Sequence, residues 1–114
     1  MATAELTVIG IGRPSASASE YIAEMQRRLE QQDKVRFKLN AMGTELEGKV
    51  EDILEVVRQL HNVPFEAGLP RVYTVLKLDE RMDKPTQTLE DKVKSVEDQM
   101  QRVGNTFRRD RSIF

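Results

Sequence analysis

Two strand–helix–strand units in tandem, followed by one more helix, predict an α+β fold with a four-stranded antiparallel sheet. Three observations carry this reading. The apolar run Leu6–Ile11 and the alternating runs Val35–Leu39 and Arg71–Leu78 have strand periodicity. The stretches 17–32, 50–62 and 89–103 repeat apolar residues every three or four positions, as helices do. The order in which these occur, strand–helix–strand–strand–helix–strand, is that of the split βαβ, or ferredoxin-like, fold. Right-handed crossovers then put the first and third strands in the middle of the sheet.

The first strand is expected at about Ala4–Ile11. Leu6 and Val8 alternate with Ile9 and Ile11, so both of its faces are apolar. Such a strand belongs in a sheet covered twice, by helices on one side and most simply by a second subunit on the other. Gly10, Gly12 and Pro14 end it, and Ser15, Ser17 and Ser19 follow at alternate positions. A strand, a tight loop and a helix N-terminus in succession gather N–H groups and hydroxyls in one place. This bend is the first candidate site for a small polar ligand.

The first helix should run from Ser17 or Ser19 to Gln32, with Ser17 and Glu20 at capping-box spacing and a stripe of Ala18, Ile22, Met25 and Leu29. Val35–Leu39 reads as a half-buried edge strand, and Thr44–Glu47 as its hairpin partner, with Gly43 supplying a positive φ. Val50, Ile53, Leu54, Val57 and Leu60 mark the second helix, which Val63-Pro64 should stop, leaving Phe65–Gly68 as a turn. The third helix, about Leu89–Val103, takes its start signal from Thr88 with Asp91. Its stripe of Leu89, Val93, Val96, Met100 and Val103 is narrow, which fits a helix lying on another surface. Residues 1–103 are therefore expected to form one domain, and the Arg-rich stretch 104–114 a flexible tail.

Composition excludes several functions. The 114 residues carry a formal net charge of −1, so no overall field favours nucleic acid or anionic lipid. No cysteine and one histidine leave no thiolate or multi-histidine metal site. No run approaches membrane-spanning length, and the N-terminus lacks signal-peptide features, so a cytoplasmic protein is expected. Gly10-Ile11-Gly12 lacks the third glycine of a dinucleotide fingerprint. Asp79, Glu80 and Asp83 are interleaved with Arg81 and Lys84, which reads as a solvated charge run rather than a metal cluster. His61, late in the second helix, reads as a histidine that interacts with the helix dipole or solvent rather than a catalytic one. Tyr21, Phe37, Phe65 and Tyr73 read first as core.

The segments SASASEY (15–21), MGTELEG (42–48), PFEAGLPRV (64–72) and KLDERMDKP with LEDKVKSVE (77–97), taken together, resemble the family of small thiamine-binding proteins of ferredoxin-like fold. Gly10 stands where many members have a proline, and the tail after Val103 lies outside the pattern. The resemblance implies a protein that binds thiamine or its hydroxymethylpyrimidine portion without catalysis or cofactor. It also implies dimers that pair through their sheets, and often tetramers. Its motifs map the ligand site onto Ser15, Ser17, Ser19, Met42, Gly43, Thr44 and Glu47, with Arg81 as a lesser candidate. In this reading the hydroxyls bind ring nitrogens, Met42 and Phe65 form walls, and Glu47 or Glu45 faces the thiazolium cation. Two alternatives remain open: an interaction module without a small ligand, and an acylphosphatase-like hydrolase with Arg13 as its phosphate cradle.

Overall fold

The computed structural model describes residues 1–12 and 18–107, with side chains described through Gln101. Its elements are β1 (Ala2–Ile11), α1 (Ala18–Glu30), β2 (Arg36–Asn40), β3 (Gly43–Gly48), α2 (Val50–His61), α3 (Val63–Glu66), β4 (Arg71–Glu80) and α4 (Leu89–Phe107). The sheet is antiparallel in the order β2-β3-β1-β4. This is the ferredoxin-like arrangement, with β1 and β3 in the middle.

Strand alternation sorts the sheet into two faces. Ala2, Ala4, Leu6 and Val8 of β1 are buried with Leu46 of β3 against Tyr21, Met25 and Leu29 of α1 and Ile53, Val56 and Leu60 of α2. The other face holds Thr3, Glu5, Thr7, Ile9 and Ile11 of β1. Ile9 and Ile11 are exposed there, beside Tyr73 and Val75 of β4. Hence, among the described residues, Ile9 and Ile11 of the doubly apolar strand are left uncovered on this face, while Thr3 and Glu47 farther along it are buried.

Local departures from the sequence reading have simple causes. The stripe of α1 is set by Tyr21, Met25 and Leu29, while Ala18 is exposed. On α2, Val56 is buried and Leu54 is exposed, since a helical wheel centred on Ile53 and Leu60 leaves room for one of the two. Val63-Pro64 does stop α2, but the chain then makes a further helical turn, α3. Proline suits a first turn because its missing N–H would be unpaired there anyway. Leu69 N–H donates to the Pro64 carbonyl at 3.0 Å, and Gly68 takes the left-handed φ of 92° that turns the chain into β4. Helix α4 continues to Phe107, past the expected end at Val103; residues 108–114 of the expected tail lie outside the described residues. Gly43 does not have a positive φ; glycine is needed there because its Cα lies close against the Leu6 carbonyl.

Candidate functional site

β1 is longer than its neighbour. Its ladder with β3 covers Ala2–Leu6 and ends at Leu6↔Thr44, whereas its ladder with β4 runs on to Ile11. Among the described residues, β1 beyond Leu6 therefore has no strand beside it on the β3 side. The opening is a cleft of about 290 Å³ between this strand edge, α1 and the β2–β3 hairpin. Its floor is Leu6–Ile9, its α1 wall Ala18, Tyr21, Ile22 and Met25, and its hairpin wall Leu39–Thr44. None of these lining residues is charged.

Three polar contacts hold the cleft in shape. Gly10 N–H donates to the Tyr21 hydroxyl at 3.0 Å, which ties the strand end to α1. Gln26 Nε2 donates to Thr44 Oγ1 at 3.1 Å, which ties α1 to β3. Thr7 Oγ1 donates to the Met42 carbonyl at 3.0 Å, which holds the hairpin tip to the strand. Thr44 is buried, with its hydroxyl proton still available to donate; Met42 is 82% exposed at the rim.

The structure thus brings Met42, Gly43 and Thr44 together, next to the start of α1. Ser19 lies on the first turn of α1 and is exposed. Ser15 and Ser17 lie outside the described residues, as do Arg13 and the Ser17 half of the expected capping box. Tyr21 and Gln26 were missed as parts of this site. Tyr21 reads as core from its apolar ring, and Gln26 sits among the residues of a wet helix face. Only the meeting of α1 with β3 reveals them.

Glu47 is placed elsewhere. It sits three residues from Thr44 and so on the opposite face of the sheet, 2% exposed. Its Oε2 pairs with Arg36 at 2.6 Å and its Oε1 accepts Leu89 N–H at 2.9 Å. The buried carboxylate is already satisfied by a cation within the chain and by the first N–H of α4. Phe65 stands on α3, edge-on to His61 at 5.7 Å, and does not line the cleft. Arg81 pairs with Asp83 at 2.9 Å beyond the far end of β4. His61 Nδ1 lies 2.6 Å from Thr74 Oγ1, a structural hydrogen bond between α2 and β4. Among the described residues, no three His, Asp or Glu side chains are grouped so as to hold a metal ion.

The start of α4 is firmly built. Thr88 Oγ1 accepts Asp91 N–H at 3.1 Å and Asp91 Oδ2 accepts Thr88 N–H at 3.0 Å, the reciprocal capping box that the sequence signal predicts. Arg36 also bonds Glu90 at 2.8 Å, and Lys92 pairs with Asp79. The Thr88 N–H holds the Asp91 carboxyl below its ordinary range; Glu90 is lowered by its own backbone N–H and then by Arg36. Groups with folded values below their unfolded ones stabilise fully at neutral pH, and that contribution is lost as pH falls through the lowered values. Amide exchange at 89–92 is therefore expected to gain on that of α2 as pH falls from about 5 to about 3. An unchanged ratio in hydrogen-exchange mass spectrometry would contradict this.

These features define a small ferredoxin-like protein with an uncharged cleft at the open edge of its central strand. Residues 4–97 match the model of the thiamine-binding protein family, and the chain belongs to that family. It is 40% identical to the UPF0045 protein YqgV of Bacillus subtilis over 104 residues, 89% of this chain and 99% of that one. A UPF0045 protein of Methanothermobacter thermautotrophicus is 42% identical over 101 residues, 88% of this chain and all of the relative. Among solved structures, the hypothetical protein MJ1052 of Methanocaldococcus jannaschii superposes with a TM-score of 0.74 at 34% identity, over 84% of this chain and 95% of that one. A Thermotoga maritima structure provisionally assigned to thiamine biosynthesis or salvage shares the fold, with a TM-score of 0.68 at 20% identity over 83% of this chain and 97% of that one. Among the described residues, no helix is long and apolar enough to cross a membrane.

Proposed function

We propose that this protein binds thiamine or its hydroxymethylpyrimidine portion and releases it unchanged. The observation that carries this reading is the cleft at the β1 edge, whose lining combines apolar walls with Thr44, Tyr21 and Thr7 and no charge. A flat aminopyrimidine needs an apolar slot and a few fixed hydrogen-bond partners. Ser15, Ser17 and Ser19 enter this reading as ligand hydroxyls on the ground of the family resemblance. Glu47 enters it as the anchor of α4 rather than as the neighbour of the thiazolium. Phe65 and Arg81, away from the cleft, have no role in it.

In the same reading, two copies pair through their open sheet faces, and pairs assemble further into tetramers. The exposed Ile9, Ile11, Tyr73 and Val75 support this, because a monomer in water gains nothing from leaving them wet. The site of action is cytoplasmic.

Isothermal titration with hydroxymethylpyrimidine and with thiamine tests the proposal. Heat of binding is expected with the pyrimidine, and the ligand should be recovered unaltered by chromatography. Thr44→Val keeps the shape but removes the hydroxyl, and should weaken binding about tenfold, the worth of one hydrogen bond in a dry site. No heat and no thermal shift with either compound would refute the reading. Chemical conversion of either one would refute its non-enzymatic part.

A further inference from the structure

Among the described residues, β1 carries one backbone donor–acceptor pair without a partner. In an antiparallel strand, successive residues turn their N–H and C=O groups to opposite edges. Two contacts show which residues of β1 face away from β4. The Leu6 carbonyl oxygen points at Gly43 of β3, where a Cβ would stand 2.8 Å from it. Gly10 N–H donates to the Tyr21 hydroxyl on α1. Val8 lies midway between Leu6 and Gly10, so its N–H and C=O face the same edge, while Thr7 and Ile9 serve the β4 ladder. The ladder with β3 ends at Leu6↔Thr44, and the Val8 groups therefore open into the cleft, which Val8 lines. Val8 is 5% exposed, and among the described residues nothing bonds to this pair.

Buried backbone groups are rarely left unpaired, because drying them forfeits their hydrogen bonds to water. An added peptide strand fits this edge poorly. It would pair with every second residue, and Gly10 N–H is already taken by Tyr21. The hairpin tip closes the other end, held to Thr7 through the Met42 carbonyl. What is left is one donor beside one acceptor, in a slot whose lining carries no charge. Its complement is one acceptor beside one donor on a flat, neutral molecule. A ring nitrogen next to an exocyclic amine has this pattern.

We infer that the Val8 backbone reads the amidine edge of a neutral aminopyrimidine: its N–H donates to the ring nitrogen and its C=O accepts from the amine. The inference rests on the binding reading proposed above and adds to it the group that sets specificity. Exchanging the amine for an oxo group reverses the pattern. The ring nitrogen then carries a proton and the oxygen accepts, so in the same pose N–H meets N–H and oxygen meets oxygen. Turning the ring over restores the pairing but carries its substituents to the wrong walls of the slot.

The test is calorimetric titration of the full chain with hydroxymethylpyrimidine and with its oxo counterpart, in which a carbonyl oxygen replaces the amine. The oxo compound is expected to bind at least about a hundredfold more weakly, as when a site built to hydrogen-bond one group meets an analogue that cannot pair with it. In the amide NMR spectrum, the Val8 N–H should move downfield when hydroxymethylpyrimidine binds. Semisynthesis with the α-hydroxy acid of valine in place of Val8 exchanges only that N–H for an ester oxygen. It should weaken binding about tenfold while every side chain of the cleft stays in place. Equal affinities for the amino and oxo compounds, or a Val8 amide that does not shift while the ligand binds, would overturn the backbone reading and leave the binding reading standing. Failure of both compounds to bind would overturn the binding reading and this one with it.

Discussion

Glu47→Ala is expected to lower the free energy of unfolding by about 2–3 kcal/mol, the upper range for losing hydrogen bonds to a charged group, since the partner Arg36 is mostly exposed and is not left as a buried charge. The carboxylate is 2% exposed and serves two elements at once: Arg36 on β2 and the first N–H of α4. Alanine leaves that N–H without its acceptor and Arg36 with Glu90 alone. Glu47→Gln keeps an oxygen for Leu89 N–H and gives up only the charge, so it should cost less, about 1–2 kcal/mol. The order Ala worse than Gln is the signature of a helix anchor. At about 4 °C per kcal/mol for a chain of this size, Glu47→Ala should melt roughly 8–12 °C below wild type. A residue serving chiefly as a ligand's counter-charge would instead leave the melting temperature of the free protein within about 2 °C of wild type.

Much of the fold was legible because it depends on periodicity. Alternating apolar residues gave the strands, and one right-handed crossover rule fixed the order β2-β3-β1-β4. Thr88 with Asp91 was legible because a capping box is a local device, complete within four residues. The site was legible only in part. Met42, Gly43 and Thr44 do stand together at a cleft. What the sequence hides is register. Nothing in Thr7–Ile11 says that β3 stops at Leu6, and that mismatch opens the cleft. Glu47 shows the same limit from the other side. Its alternation with Glu45 is visible, but its partner Leu89 is 42 residues away and contributes a backbone N–H, which leaves no mark in side-chain chemistry. Leu54 and Val56 show that a helical period admits more apolar positions than a helix can bury.

Gly43→Ala joins the fold to the site. A Cβ at this position would stand 2.8 Å from the Leu6 carbonyl oxygen and 3.0 Å from Thr7 Oγ1. Neither atom can easily give way. The carbonyl belongs to a central strand paired on both sides at Leu6, and the hydroxyl is held by the Met42 carbonyl. The hairpin must therefore move outward, at a cost of about 1–3 kcal/mol as for other overpacked sites. The hairpin is one wall of the cleft, so its displacement should also weaken ligand binding tenfold or more. Gly48→Ala provides the contrast. Its Cβ would come within 3.1 Å of the Lys34 carbonyl at the other end of β3, away from the cleft. It should lower stability without changing affinity once both proteins are measured well below their melting temperatures. Calorimetric titration of the pair separates the two effects: equal affinities in Gly43→Ala and Gly48→Ala would mean that the hairpin tip is not a wall of the ligand site.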